Sequence, residues 1–214
     1  MEEVRAVASR ILPIREAGSV AASLPEGPAD LADGRIPPRF RSTTLTDYRP
    51  ANPTQRAALI AVRSWLETLG HGPMLALVGE TGTGKSHLLY GAARELFTAG
   101  RYPYVRPWYR FVDELRYGVS FRSEGGFRER GSAEVRADWW DAPVVLLDDV
   151  RPTSGTEFDS SELGRYACHA YDQKRAVLIT TNVHPLELVL GPSGASRFVE
   201  LVVRGPDARN ESAA

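Results

Sequence analysis

Gly79-Glu80-Thr81-Gly82-Thr83-Gly84-Lys85-Ser86 is the stretch on which the fold turns. It meets the pattern G-x-x-x-x-G-K-[ST] at every fixed position. A short apolar run, Leu75-Ala76-Leu77-Val78, leads into it, and residues 86–97 carry a helical pattern behind it. Each part has a physical task. The glycines let backbone N–H groups converge on phosphate oxygens with no side chain in the way. The helix start adds unpaired donors and the positive end of its dipole. Lys85 would set its ammonium against the β- and γ-phosphates, and the Ser86 hydroxyl would ligate Mg²⁺. The expected nucleotide contacts are the eight loop residues and His87, packed beside them.

Further apolar runs, at 74–78, 144–147, 176–179 and 199–203, are too brief for helices and alternate with helical segments such as 86–97 and 160–170. Strands apolar on both faces, interleaved with helices, predict an α/β fold whose parallel sheet is covered on each side. In Val144-Val145-Leu146-Leu147-Asp148-Asp149 the buried run ends in two carboxylates. The carboxyl ends of such strands are where ligands gather. Asp148 is expected to bind Mg²⁺ through water, and Asp149 to orient and polarise the attacking water. A third strand ends in Thr180-Thr181-Asn182, where the Asn182 amide can sense a γ-phosphate, position water, or simply open a turn.

Composition limits the alternatives. The chain has 214 residues, 43% hydrophobic and 25% charged, within the range of globular proteins with a substantial core. A single cysteine, Cys168, excludes an internal disulfide framework and a cysteine-rich zinc site. No apolar run reaches the ~18 residues of a membrane span, and acids and arginines interrupt the N-terminus, so a soluble cytoplasmic protein is expected. The 26 basic and 27 acidic residues argue against a surface positive all round, though not against a local nucleic-acid track.

Residues 1–35 read as an appendage, a short amphipathic helix at 4–14 and a Pro/Gly linker at 24–34, either a frayed terminus or a docking segment for a partner. The compact domain is expected at 36–209 and a disordered tail at 210–214. Asn52-Pro53-Thr54-Gln55 is a helix-start signature, with Asn52 as cap, Pro53 in the first turn and Gln55 reaching back. Leu59, Val62, Leu66 and Leu69 then recur at helical spacing, and Gly70 supplies a stop.

Loop, Asp-Asp strand and strand ending in Asn, in that order, resemble an AAA+ P-loop ATPase. Ile36-Pro37-Pro38-Arg39-Phe40, Tyr48 and the Gln55 helix resemble the opening segment of DnaC-like helicase loaders and IstB-like transposition ATPases. The 178–182 strand is similar to their sensor 1, and Ser196-Arg197-Phe198 with Gly205-Pro206-Asp207-Ala208-Arg209 to their closing motif. The resemblance implies a five-stranded parallel sheet between helices, with no lid domain. It makes Asn182 sensor 1, Arg197 an arginine finger offered to a neighbouring subunit's nucleotide, and Arg209 a sensor 2-like contact. Surface roles stay open for both arginines. It further implies ATP and Mg²⁺ as ligands, ATP hydrolysis, homo-oligomers built on ATP interfaces, and loading of a replicative helicase onto single-stranded DNA, or else service to a transposase. Asp148-Asp149 departs from the Asp-Glu of DnaC-like loaders and matches DnaA-type relatives. A shorter carboxylate implies slow hydrolysis, or a nucleotide-gated adaptor. A small-molecule kinase would need an acceptor pocket and an arginine-bearing lid, and neither pattern is clear.

Residues 101–136 hold eight arginines against five acids, with eight aromatic residues interleaved. Charge for a backbone and rings for stacking suit a single-strand track. Val105, Trp108, Phe111 and Leu115 are expected in the core, which leaves Arg116, Phe121, Arg122, Arg128 and Arg130, around Gly125-Gly126, as DNA candidates or as a solvated face. His71, His169 and His184 lack metal-like spacing, and Cys168 is expected to be buried in a helix.

Overall fold

The computed structural model describes residues 36–69, 71, 74–123, 126–152 and 157–205, and only the backbone at 119–128 and 157–161. The appendage at 1–35, Gly70, Gly125, Arg209 and the tail lie outside the described residues. In chain order the elements are α1 (Pro53–Glu67), β1 (Met74–Val78), α2 (Lys85–Thr98), β2 (Tyr104–Pro107), α3 (Trp108–Tyr117), β3 (Val119–Ser123), β4 (Gly126–Arg130), α4 (Ser132–Asp141), β5 (Val144–Val150), α5 (Glu157–Asp172), β6 (Ala176–Thr181), α6 (Glu187–Ala195) and β7 (Phe198–Val202).

Alternate residues of the central strands point to opposite faces, and both faces are apolar. Leu75, Leu77, Leu146 and Leu178 enter one core with residues of α1 and α2. Met74, Ala76, Val78, Val145, Leu147 and Ile179 enter the other, beneath α3 to α6. This two-sided burial is what the uninterrupted apolar runs predict. The sheet is five-stranded and parallel, in the order β2-β5-β6-β1-β7. Because β1, β5 and β6 are adjacent and parallel, all three end at one edge.

Sequence reasoning located four of these strands. The fifth, β2, is short and lies within the arginine-rich stretch, where Tyr104 and Val105 are the buried pair. A two-stranded antiparallel pair, β3–β4, was likewise not anticipated; its register runs from Val119 with Arg130 to Ser123 with Gly126. The helix-start signature forms as expected. Asn52 Oδ1 accepts the Gln55 N–H at 3.0 Å, while Gln55 Oε1 reaches back one residue further, to the Ala51 N–H at 2.7 Å. Residues 36–48 pack onto α2 through buried Ile36, Leu45 and Tyr48, and Phe40 stacks on Tyr90 with centroids 4.6 Å apart.

Candidate nucleotide site

The 79–86 loop joins β1 to α2 at the carboxyl edge of the sheet. Gly79, Gly82 and Gly84 all have positive φ. Contact constrains two of them: a Cβ at Gly79 would collide with the Val203 carbonyl oxygen, and one at Gly84 would come within 2.7 Å of the Tyr48 ring at φ +92°. Only a residue without a side chain turns the chain into α2 at that point. Two side chains from the opening segment and α1 brace the loop from behind. The Tyr48 hydroxyl and the Gln55 amide both donate to the Thr83 carbonyl, at 3.4 and 3.3 Å. Burial pushes the Tyr48 phenol up to about 12.

Lys85, 6% exposed, folds its ammonium over the loop and donates to the carbonyls of Gly79 and Glu80 at 2.7 and 2.6 Å. Burial lowers its pKa to about 8, against the opposing pull of Asp149, Asp148 and Glu80. A phosphate placed at the loop would supply charged acceptors in place of these neutral ones.

β5 does not stop at the carboxylates but continues to Val150. The corrected strand passes through a bulge: its pairing with β6 skips from Leu147 to Val150, and Asp149 takes φ +59°. Asp tolerates this left-handed conformation better than most residues. The bulge frees the Asp149 N–H from the ladder, and the Thr180 hydroxyl accepts it at 2.8 Å. The same hydroxyl donates to Asp148 Oδ1 at 2.7 Å, and Ser86 donates to that oxygen at 2.8 Å. Asp148 is buried, and burial raises its pKa while these hydrogen bonds pull it down. The Tyr90 hydroxyl lies near this carboxylate but makes no hydrogen bond.

Asn182 closes the constellation. Its Nδ2 donates to Thr81 Oγ1 of the loop at 3.1 Å and to Asp149 Oδ1 at 3.2 Å. Segments more than thirty residues apart thus meet at one sheet edge. Ser86 and Asp148 offer adjacent hard oxygens, a donor set suited to Mg²⁺ with phosphate and water completing its shell. Among the described residues no group of three or more His, Cys, Asp or Glu could hold a metal by itself.

Other predicted residues lie elsewhere. Arg197 precedes β7, and Met74 pairs with Phe198, so it sits at the opposite edge of the sheet from the loop. Four residues of strand separate the two edges, about 13 Å along the strand. The Arg197 guanidinium lies 4.8 Å from the Tyr171 ring centroid. Its Nε is buried without a partner, and no ion pair of Arg197 occurs among the described residues. His87 turns toward the opening segment, with Nε2 3.0 Å from the Thr44 carbonyl. Arg116 is exposed at the end of α3, and Arg130 pairs with Asp138 at 2.5 Å. In the hairpin register Phe121 pairs with Arg128 and Arg122 with Phe127. Cys168 is half-buried rather than buried.

Three features escaped sequence reasoning. Thr180 joins the Asp148 carboxylate to the Asp149 backbone N–H, and the Thr180-Thr181 pair before Asn182 was the available signal. Arg151 stands two residues beyond Asp149, just past the end of β5, and holds its carboxylate. Tyr109 and Tyr117 are 71% and 82% exposed on α3, the face that also carries Arg110 and Arg116.

No protein-family model matches the chain. A chromosomal replication initiator protein DnaA from Leptospira biflexa is 29% identical over 150 residues, covering 68% of this chain and 33% of that protein. The chain thus spans about a third of the length of that curated relative, and 23% of a DnaA from Desulfotalea psychrophila. Among solved structures, the DnaC helicase loader superposes with a TM-score of 0.61 at 20% identity, covering 78% of this chain and all of that one. DnaA bound to AMPPCP and single-stranded DNA gives 0.61 at 24% identity, covering 79% and 51%. The five-stranded parallel sheet between helices is a fold shared with these proteins, which are AAA+ P-loop ATPases, as the motif order implied. No helix among the described residues is long and apolar enough to cross a membrane.

Proposed function

We propose that this chain binds ATP with Mg²⁺ at the 79–86 loop, hydrolyses it slowly, and acts in DNA replication as a helicase loader on single-stranded DNA. The observation that carries the ATPase half is the Asn182 amide held within 3.2 Å of both the loop and Asp149. Phosphate sensing and water positioning need those three segments together, and nothing in a merely structural turn requires it.

In this reading the backbone N–H groups of the loop and the Lys85 ammonium take the phosphates. Ser86 and Asp148 hold the Mg²⁺, which when bound offsets charge on the β- and γ-phosphates. Asp149 and Asn182 align a water for attack on the γ-phosphorus; the bond to the bridging oxygen breaks, ADP leaves, and the water's proton passes toward Asp149. Arg197 cannot reach its own loop from the far edge of the sheet, and that position supports a role on a neighbouring subunit's nucleotide. Asp149 is one methylene shorter than Glu and is engaged by two other side chains, which supports slow turnover.

DNA contacts are assigned to Arg116 and the hairpin positions Phe121, Arg122, Arg128 and Arg130, to which the exposed Tyr109 and Tyr117 are added. Support comes from the similarity in fold to a helicase loader and to an initiator bound to single-stranded DNA. The test has two parts. ATP turnover is measured with and without single-stranded DNA, and expected to rise with it. Pull-down with ATP is expected to retain a replicative helicase, whereas retention of a transposase instead would replace the loader assignment.

A further inference from the structure

Asp149 carries a partner that the ATPase scheme does not use. Arg151 spans both of its carboxylate oxygens, Nε to Oδ1 at 3.1 Å and Nη2 to Oδ2 at 2.6 Å. This is the two-pronged geometry in which a guanidinium matches a carboxylate best. Asn182 adds a third donor to Oδ1. The carboxylate assigned to water is therefore committed to side-chain donors on both oxygens. The bulge accompanies this arrangement: Asp149 has positive φ where the pairing with β6 shifts, and Arg151 follows directly after the last strand residue, Val150.

We propose that Arg151 is a latch on Asp149, a positioning residue that keeps the carboxylate from serving water until the guanidinium is displaced. The inference rests on the assignment of Asp149 to water activation. Arginine keeps its charge throughout the working pH range, so the latch opens by movement and not by titration. Both partners are about half exposed, 57% for Arg151 and 43% for Asp149, so opening costs little and a modest contact from DNA or a partner chain suffices. Hydrolysis would then be slow in the isolated chain because the base is held, and not only because it is short.

Single-turnover hydrolysis and titration with a fluorescent ATP analogue would be run on the parent chain, Arg151→Ala, Arg151→Lys, Asp149→Asn and the Asp149→Asn/Arg151→Ala double variant. Arg151→Ala is expected to raise turnover about two- to fivefold, the worth of an exposed ion pair, with nucleotide affinity changed by less than about twofold. Arg151→Lys should fall between the two, since an ammonium cannot span two oxygens. The gain should vanish on the Asp149→Asn background. Unchanged or lower turnover in Arg151→Ala with affinity intact overturns the latch, as does a gain that persists without the Asp149 carboxylate. Absence of analogue binding by the parent chain is a different result: it removes the ATP site itself, and the latch with it. If Arg151→Ala melts well below the parent, Arg151→Lys carries the comparison.

Discussion

The Thr180 hydroxyl donates to Asp148 Oδ1 at 2.7 Å, joining two neighbouring strands at the carboxylate. It also accepts the Asp149 N–H that the bulge releases, so one side chain holds both acids. A hydroxyl can do this because it donates once and accepts twice. Burial alone would push Asp148 toward its neutral form. The donors from Thr180 and Ser86 oppose that push without reversing it.

Replacing this hydroxyl while keeping the shape of the side chain isolates that role. Thr180→Val leaves a buried carboxylate short of a donor and a buried N–H without an acceptor, at a cost of about 1–3 kcal/mol. The melting temperature should fall by roughly 3–10 °C for a domain of this size. Thermal denaturation followed by circular dichroism measures it, and an unchanged midpoint would remove Thr180 from the site's support.

Lys85 offers the sharpest test of ligand binding. Losing charge-assisted contacts of about 1.5–3 kcal/mol, Lys85→Ala should weaken ATP binding at least tenfold. The pH dependence has a definite sign. With a pKa near 8 in the free chain, Lys85 is charged below pH 8 and ready for phosphate. Above it the amine is largely neutral, so ATP binding must take up a proton, up to one per nucleotide. Affinity should therefore decline as pH rises through about 8, and calorimetry in buffers of different ionisation enthalpy reads the uptake directly. Lys85→Ala should abolish it.

Arg197 should separate binding from turnover. Arg197→Ala is expected to bind ATP as the parent does, yet lose turnover by roughly 10³-fold if the guanidinium completes a neighbour's site. Mixing Arg197→Ala with Lys85→Ala restores some activity if the finger acts between subunits, because a mixed interface then contains one intact site. A mixture as inactive as its components would place Arg197 in packing against Tyr171.

Tyr109 and Tyr117 bear on the DNA assignment. Each ring that stacks on a base contributes about 1–3 kcal/mol, so Tyr117→Ala should weaken single-stranded DNA binding between roughly five- and 150-fold, while leaving ATP affinity unchanged. Arg116→Ala should instead flatten the salt dependence of binding, by about 0.7 in slope. Fluorescence anisotropy with a labelled oligonucleotide across a salt series distinguishes the two.

The 79–86 loop was legible because the strand-to-helix turn demands particular residues at fixed spacing, and because flanking apolar runs declare strand and helix by their periods. The same holds for Asp148-Asp149 and Asn182, each at the end of an apolar run. Thr180 stood beside Asn182 in plain view, but a threonine in a strand is ordinary β-propensity, and only the bulge gives it two acids to serve. Arg151 was hidden for a similar reason: an acid and an arginine two apart pair only if the backbone between them turns them together. Trp108 and Phe111 were expected in the core and are buried there, but the exposure of Tyr109 and Tyr117 came to light only once α3 had been laid on the sheet.

Local order in the chain therefore determined which segments become strands and helices, where a glycine-rich loop turns strand into helix, and which acids stand at strand ends, because these follow from hydrophobic period and from backbone stereochemistry. The meeting of Thr81, Asp149 and Asn182, the removal of Arg197 to the far edge and the pairing of Arg151 with Asp149 were decided only in three dimensions. Strand order and a one-residue bulge set those distances, and both arise from packing between segments far apart in sequence.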